Sequence, residues 1–225
     1  MTTSKSLALV VAGYAVLAAA MLAFLTVNGE SATAVGTIGT AGLLVLGLLL
    51  PAAGMLELAR RMDPPQGTAR KGLVLQSLGL IGLLIGFAVS FAASSLSGYL
   101  VSGVVIVLSG TAGLAGTIFI SKQAGARQLV VGAALIAIGA ALIPASNIAL
   151  HAGWLLDIDK NIYMDIGATL AGCGSIVTTY SFFGLRSRGK APVAARPLGP
   201  GRTRHRPVAH GVSRAHHESR GRPPR

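Results

Sequence analysis

Asp157, Asp159, Asn161 and Asp165 occupy the first, third, fifth and ninth places of a twelve-residue window, the spacing by which an EF-hand loop surrounds calcium with oxygen ligands. The match fails where the geometry is strictest. Ile162 stands at the sixth place, where glycine makes the sharp turn, and Ala168 at the twelfth, where a glutamate supplies two oxygens. Asp157 and Asp159 also form the Asp-x-Asp pair by which sugar-nucleotide transferases hold a metal, but no soluble domain flanks them to bind a nucleotide. The chain holds a single cysteine, Cys173, so an intramolecular disulfide and a thiolate metal cluster are both ruled out, and Cys173 reads as a small apolar packing residue. No Ser/His/Asp set, phosphate loop or His-rich cluster appears in the apolar segments. The expectation is a non-enzymatic chain with no catalytic residues, no cofactor and no metal.

The elements around this acidic stretch explain it more simply. Trp154, Ile158 and Ile162 recur every four residues beside Leu155, with Asp157, Lys160 and Asn161 on the opposite side. That pattern predicts a short amphipathic helix in the membrane interface, with Asp157 and Lys160 paired three apart and Trp154 and Tyr163 at headgroup level. The remaining functional option here is a weak cation or gating role for Asp165 and His151.

Of the 225 residues, 52% are hydrophobic, only 12% are charged and 30 are glycine. With a mean hydropathy of +0.66, this is the composition of a polytopic membrane protein. Six apolar runs each approach the roughly 20 residues that cross a bilayer. They are Ser6 to Val27, Thr33 to Leu56, Gly72 to Ala92, Leu96 to Ile120, Leu129 to Leu150, and Ile166 to Leu185. Lys5, Arg60, Arg61, Arg70, Lys71, Lys122, Arg127 and the C-terminal tail all fall on one side of this pattern, while the alternate loops carry Glu30, an uncharged Ser-rich turn and the Asp stretch. The predicted fold is all-α, with six transmembrane helices as three hairpins and, by the positive-inside rule, both termini cytoplasmic. The first run also imitates a signal peptide, with "ATA" at Ala32 to Ala34, but it is longer than the roughly 7 to 15 residues of a signal core.

Within the runs the notable polar groups are Gln76, Asn147, Ser175, Thr178 and Thr179, each able to bond across helices or to its own backbone. Gln76, Asn147 and Asp165 are the positions at which a small solute would be met if the protein carried one. Pro51 and Pro144 fall inside runs two and five, where each removes a helix hydrogen bond, and Ser146 and Asn147 stand ready to satisfy the freed backbone. Small-residue seams at Gly79, Gly82 and Gly86, and at Ala168 and Gly172, predict close helix packing within one chain or between copies. "GTAGL" occurs at Gly39 to Leu43 and again at Gly110 to Leu114, in line with a hairpin repeat.

At Arg186 the character changes. Residues 1–185 form the membrane domain and residues 186–225 a tail with 11 Lys or Arg against the single acid Glu218, a net +10 out of the chain's +12. The tail holds six of the ten prolines, four of the five histidines and no aromatic residue, so it is predicted to be disordered. Arg186, Arg188, Lys190 and Arg196 lie closest to the membrane and are placed to contact anionic headgroups. Without aromatics to stack on bases, the tail suits lipid better than nucleic acid.

Gly-rich hairpins with a basic residue at each inner end, as in "RKGLVLQSLGLIGLLIGFAVSFAASSLSGYLVSGVVIVLSGTAGLAGTIFISK", resemble the short-repeat membrane proteins of the acid-resistance HdeD type over Lys5 to Arg188. The long basic tail and the extended fifth-to-sixth loop depart from that pattern. The resemblance implies a stress-associated integral membrane protein with no catalytic residues. Two functions follow: an accessory or structural protein assembling with itself or a larger complex through its glycine faces, or a carrier or channel for a small solute. The Arg, Ala and Gly usage is that of a GC-rich bacterium, which places the protein in a plasma membrane as a multi-pass chain.

Overall fold

The computed structural model describes residues 3–27, 34–62 and 67–187. They form six helices: α1 (Thr3–Val27), α2 (Ala34–Arg60), α3 (Thr68–Ala92), α4 (Leu96–Ala124), α5 (Gln128–His151) and α6 (Asp157–Ser187). All six are long and apolar enough to cross a membrane. Most extend beyond the apolar runs by up to a few turns, taking in Glu57, Arg60, Arg70, Lys71, Lys122 and Arg186. Hydropathy marks only the hydrocarbon-embedded part, while the backbone keeps its helical hydrogen bonds into the headgroup region.

Each helix packs mainly on its two neighbours in the chain, and α6 returns to α1, so the six close into a ring. The tightest pairs are the hairpins α1–α2, α3–α4 and α5–α6. Glycines set that tightness. A Cβ on Gly79 would lie 2.7 Å from the Gly113 Cα, one on Gly116 2.6 Å from the Gln76 nitrogen, and one on Gly139 2.4 Å from the Gly167 oxygen. The expected seams at Gly79, Gly82 and Gly86 thus pack within the chain, against Gly113, Ser109 and Ile106 of α4. Ala168 and Gly172 do so too, with Gly172 facing Met21 of α1. A stricter pattern runs through the hairpins, with glycines seven apart at Gly47 and Gly54, at Gly72, Gly79 and Gly86, at Gly132 and Gly139, and at Gly167 and Gly174. Each of these lies where a neighbouring backbone or side chain would block any larger residue.

The outward surface is apolar. Ile38 is 73% exposed and Leu108 65%, as suits side chains that meet lipid. Cys173 also faces outward rather than packing in the core, at a shallow groove with Leu22 and Ile176. Both prolines lie inside continuous helices. The Pro51 ring fills the notch at Gly13, where a Cβ would come within 2.2 Å of its Cδ.

The turns place the ends. Ser95 caps α4 by accepting from the Gly98 nitrogen at 3.4 Å, and Gly125, at φ 68°, closes it in the left-handed conformation. The stretch from His151 differs from the amphipathic interfacial helix expected of it. Gly153 adopts φ 74°, its nitrogen bonds the Leu150 oxygen at 2.9 Å, and the Trp154 nitrogen bonds the Ala149 oxygen at 2.8 Å. This is a Schellman closure of α5, which leaves Trp154 on the turn. Asp157 then begins α6, which runs unbroken into the bundle. A positive-φ glycine four residues before the first Asp breaks the four-residue periodicity that Trp154 would have begun. The side chains of Asp157 and Asp159, and with them the Asp157–Lys160 pairing, lie outside the described residues.

Because six helices alternate in direction, Lys5, Arg60, Arg61, Arg70, Lys71, Lys122, Arg127 and Arg186 gather at one end of the ring. The turns Ala93–Ser95 and Ala152–Leu156 lie at the other. Helix α6 continues through Ser187, two residues past the expected domain boundary. Arg188, Lys190 and Arg196, and the expected disorder of the tail, fall outside the described residues.

Candidate functional site

Gln76 sits on the third turn of α3 between Gly72 and Gly79, where α4 approaches closely enough for backbone contact. Its side chain cannot reach lipid and is 5% exposed. The Gln76 Nε2 donates to the Tyr14 hydroxyl of α1 at 2.9 Å, and its Oε1 accepts from the Thr117 hydroxyl of α4. Thr117 Oγ1 also lies 2.9 Å from the Gly113 oxygen, so one proton is shared between two acceptors. Tyr14 is fully buried and stacks on Phe182 of α6, with ring centroids 6.1 Å apart and planes 10° apart. One polar cluster therefore ties α1, α3 and α4 together and rests on α6.

The arrangement follows from the medium. A tyrosine hydroxyl or glutamine amide facing hydrocarbon lacks water, so each must find a protein partner. Beside Gln76 the space between α3, α4 and α5 is about 10 Å³, lined by Leu80, Leu83, Ser109, Gly113 and Ile136 among others, the size of one water. The cluster joins helices, and its groups carry no charge at neutral pH.

Ser146, Asn147, Ser175, Thr178 and Thr179 bond to carbonyls of their own helices. Asn147 is buried and donates to the Ile143 oxygen of its own helix at 3.2 Å, as Ser146 does at 2.7 Å. Both thus serve the Ile143 carbonyl, whereas the carbonyl that Pro144 deprives of its usual donor is that of Ala140, four residues back. Ser175, Thr178 and Thr179 donate to the Ala171, Gly174 and Ser175 oxygens, each at 2.7–2.8 Å. Asp165 lies half-buried near the start of α6, beside an open groove with Ile162, Ile166 and Thr169. His151 ends α5, with its ring 4.6 Å from that of Tyr99 and its Nδ1 2.9 Å from the Asn147 oxygen. Among the described residues, no three His, Cys, Asp or Glu side chains come together as metal ligands would.

Of the expected site residues, Gln76 bonds across the bundle to two other helices. Arg186 is exposed on the last turn of α6. Tyr14 and Thr117 were missed. The available signal was Tyr14 in the middle of an apolar run, far from the interface where tyrosine is usually found in membranes. Comparison with family models, with curated proteins and with solved structures yields no match to this chain.

Proposed function

We propose that this chain is a non-enzymatic accessory or structural protein of a bacterial plasma membrane, with both ends cytoplasmic and its basic tail held against anionic lipid. The observation that carries this reading is the use of Gln76 and Asn147. These are the polar groups on which a solute route through the ring would draw, and both are engaged within the protein, Gln76 across α1, α3 and α4 and Asn147 on the Ile143 carbonyl of its own helix. The narrowness of the space beside Gln76, about 10 Å³, supports it further. The sidedness rests on the cations gathered at one end of the ring, and a stress-associated role rests on the HdeD-type hairpin pattern. Assembly with further copies, or with a larger membrane complex, would use the outer apolar surface.

Reconstitution in liposomes tests the central claim. No solute-specific flux is expected. Saturable flux that is lost on Asn147→Ala, in a variant still folded, would favour a carrier. Purification in native membranes followed by mass spectrometry would identify the partners of an accessory protein.

A further inference from the structure

At the basic end of the ring a groove of about 620 Å³ opens between the α4–α5 turn and the last turns of α6. Arg127, Gln128, Tyr180, Ser181, Gly184 and Leu185 line it. We propose that this groove seats the phosphodiester headgroup of an anionic lipid from the leaflet at the basic end.

Its position within the bilayer comes first. Gln128 is the first residue of α5 and Leu185 lies two residues from the end of α6, so the groove lies where both helices reach the headgroup layer. Tyr180 is seven residues from that end, about 10 Å deeper along the helix. It is 74% exposed and lines the groove, which puts an aromatic ring where the acyl chains would lie. Leu185 and Gly184 form the apolar wall that glycerol and the first methylenes would need.

The donors suit a phosphate. Gly125, in the left-handed conformation, turns the chain so tightly that Arg127 reaches the rim three residues after α4 ends. Arg127 is exposed and has no carboxylate partner among the described residues, where the ion pair at this end joins Arg61 to Glu57 instead. Its guanidinium fork, the Gln128 amide and the Tyr180 hydroxyl offer several N–H and O–H groups to one anion. No side chain caps α5 here. An arginine at the membrane surface, open toward lipid and without a protein counter-charge, is complementary to an anionic headgroup. This site is built from the helical bundle and does not depend on the tail.

The test uses the full chain in mild detergent, with native mass spectrometry after addition of phosphatidylglycerol, phosphatidylcholine or inorganic phosphate. One phosphatidylglycerol should be retained about five-fold or more over phosphatidylcholine, the preference that one basic contact supplies. Arg127→Gln should abolish the preference, and Lys71→Gln, an exposed cation at the same end, should leave it intact. Gly184→Phe gives an independent check. A Cβ there would meet nothing within 4 Å, so the ring fills the groove without disturbing the helix, and lipid should again be lost. A chain ending at Ser187 should keep the preference. Unchanged retention in Arg127→Gln and Gly184→Phe would overturn the proposal. So would loss of the preference in the shortened chain, which would make the tail the binder, or equal competition by inorganic phosphate, which would make this a site for free anions. Failure of the tail to bind membranes would leave all of these results untouched.

Discussion

The side-chain amide of Gln76 donates to the Tyr14 hydroxyl at 2.9 Å, joining α3 to α1 inside a ring whose outer surface faces hydrocarbon. Thr117 bonds the other end of the same amide, so three helices share one cluster of uncharged groups. Loss of the Gln76 amide would leave the buried Tyr14 hydroxyl without that donor.

Gln76→Leu should therefore destabilise the bundle by about 1–2 kcal/mol. Tyr14→Phe should cost a similar amount, and the double variant less than the sum, with a coupling of about 1 kcal/mol. Reversible unfolding in mixed micelles measures all three. Strict additivity would mean that the contact contributes nothing to the fold.

Glycines of similar sequence context should behave in opposite ways. A Cβ on Gly79 would press on the Gly113 backbone at 2.7 Å, whereas one on Gly42 would meet nothing within 4 Å. Gly79→Ala is expected to destabilise by about 1–3 kcal/mol, as overpacking does. Gly42→Ala should be neutral within about 0.5 kcal/mol. Thermal unfolding of the two variants in the same detergent decides the matter.

The proposed orientation predicts chemical access. With Cys173 replaced, a cysteine introduced at Lys160 should react with a membrane-impermeant maleimide added to intact cells, and one at Arg61 should react only after lysis. Lys160 stands on the first turn of α6, and Arg61 follows α2 at the opposite end of the ring. The reverse pattern would invert the topology.

The tail should bind anionic membranes by charge alone. A peptide of residues 186–225 carries +10 and should bind anionic vesicles but not neutral ones. Binding should weaken as added salt shortens the screening length from roughly 8 Å. His205, His210, His216 and His217 gain charge as pH falls through about 6.5, so affinity should rise on acidification. Equal binding to both vesicle types, or tighter binding to RNA at the same salt, would refute the lipid reading.

Membrane crossing is a local property, and so it was legible in the sequence. A run of some 20 apolar residues meets the demand of the bilayer whatever its neighbours are, and the cations between runs mark their alternation. The six helices and the basic end of the ring followed from this, whereas the choice of Ser175, Thr178 and Thr179 between their own backbone and a neighbouring helix was made only by the packing. Hydropathy does not tell which face of each helix turns inward, because lipid and protein interior are equally apolar. Tertiary structure alone gave the two "GTAGL" copies different surroundings: Gly113 packs on Gly79, while Gly39 and Gly42 have open space. It also assigned Gln76 to Tyr14 and Thr117, and turned Cys173 outward. At Trp154, where periodicity suggested a helix, the left-handed backbone of Gly153 made a turn. Those choices depend on which small residues let two backbones meet and which polar groups then come within reach, and helix packing alone determines both.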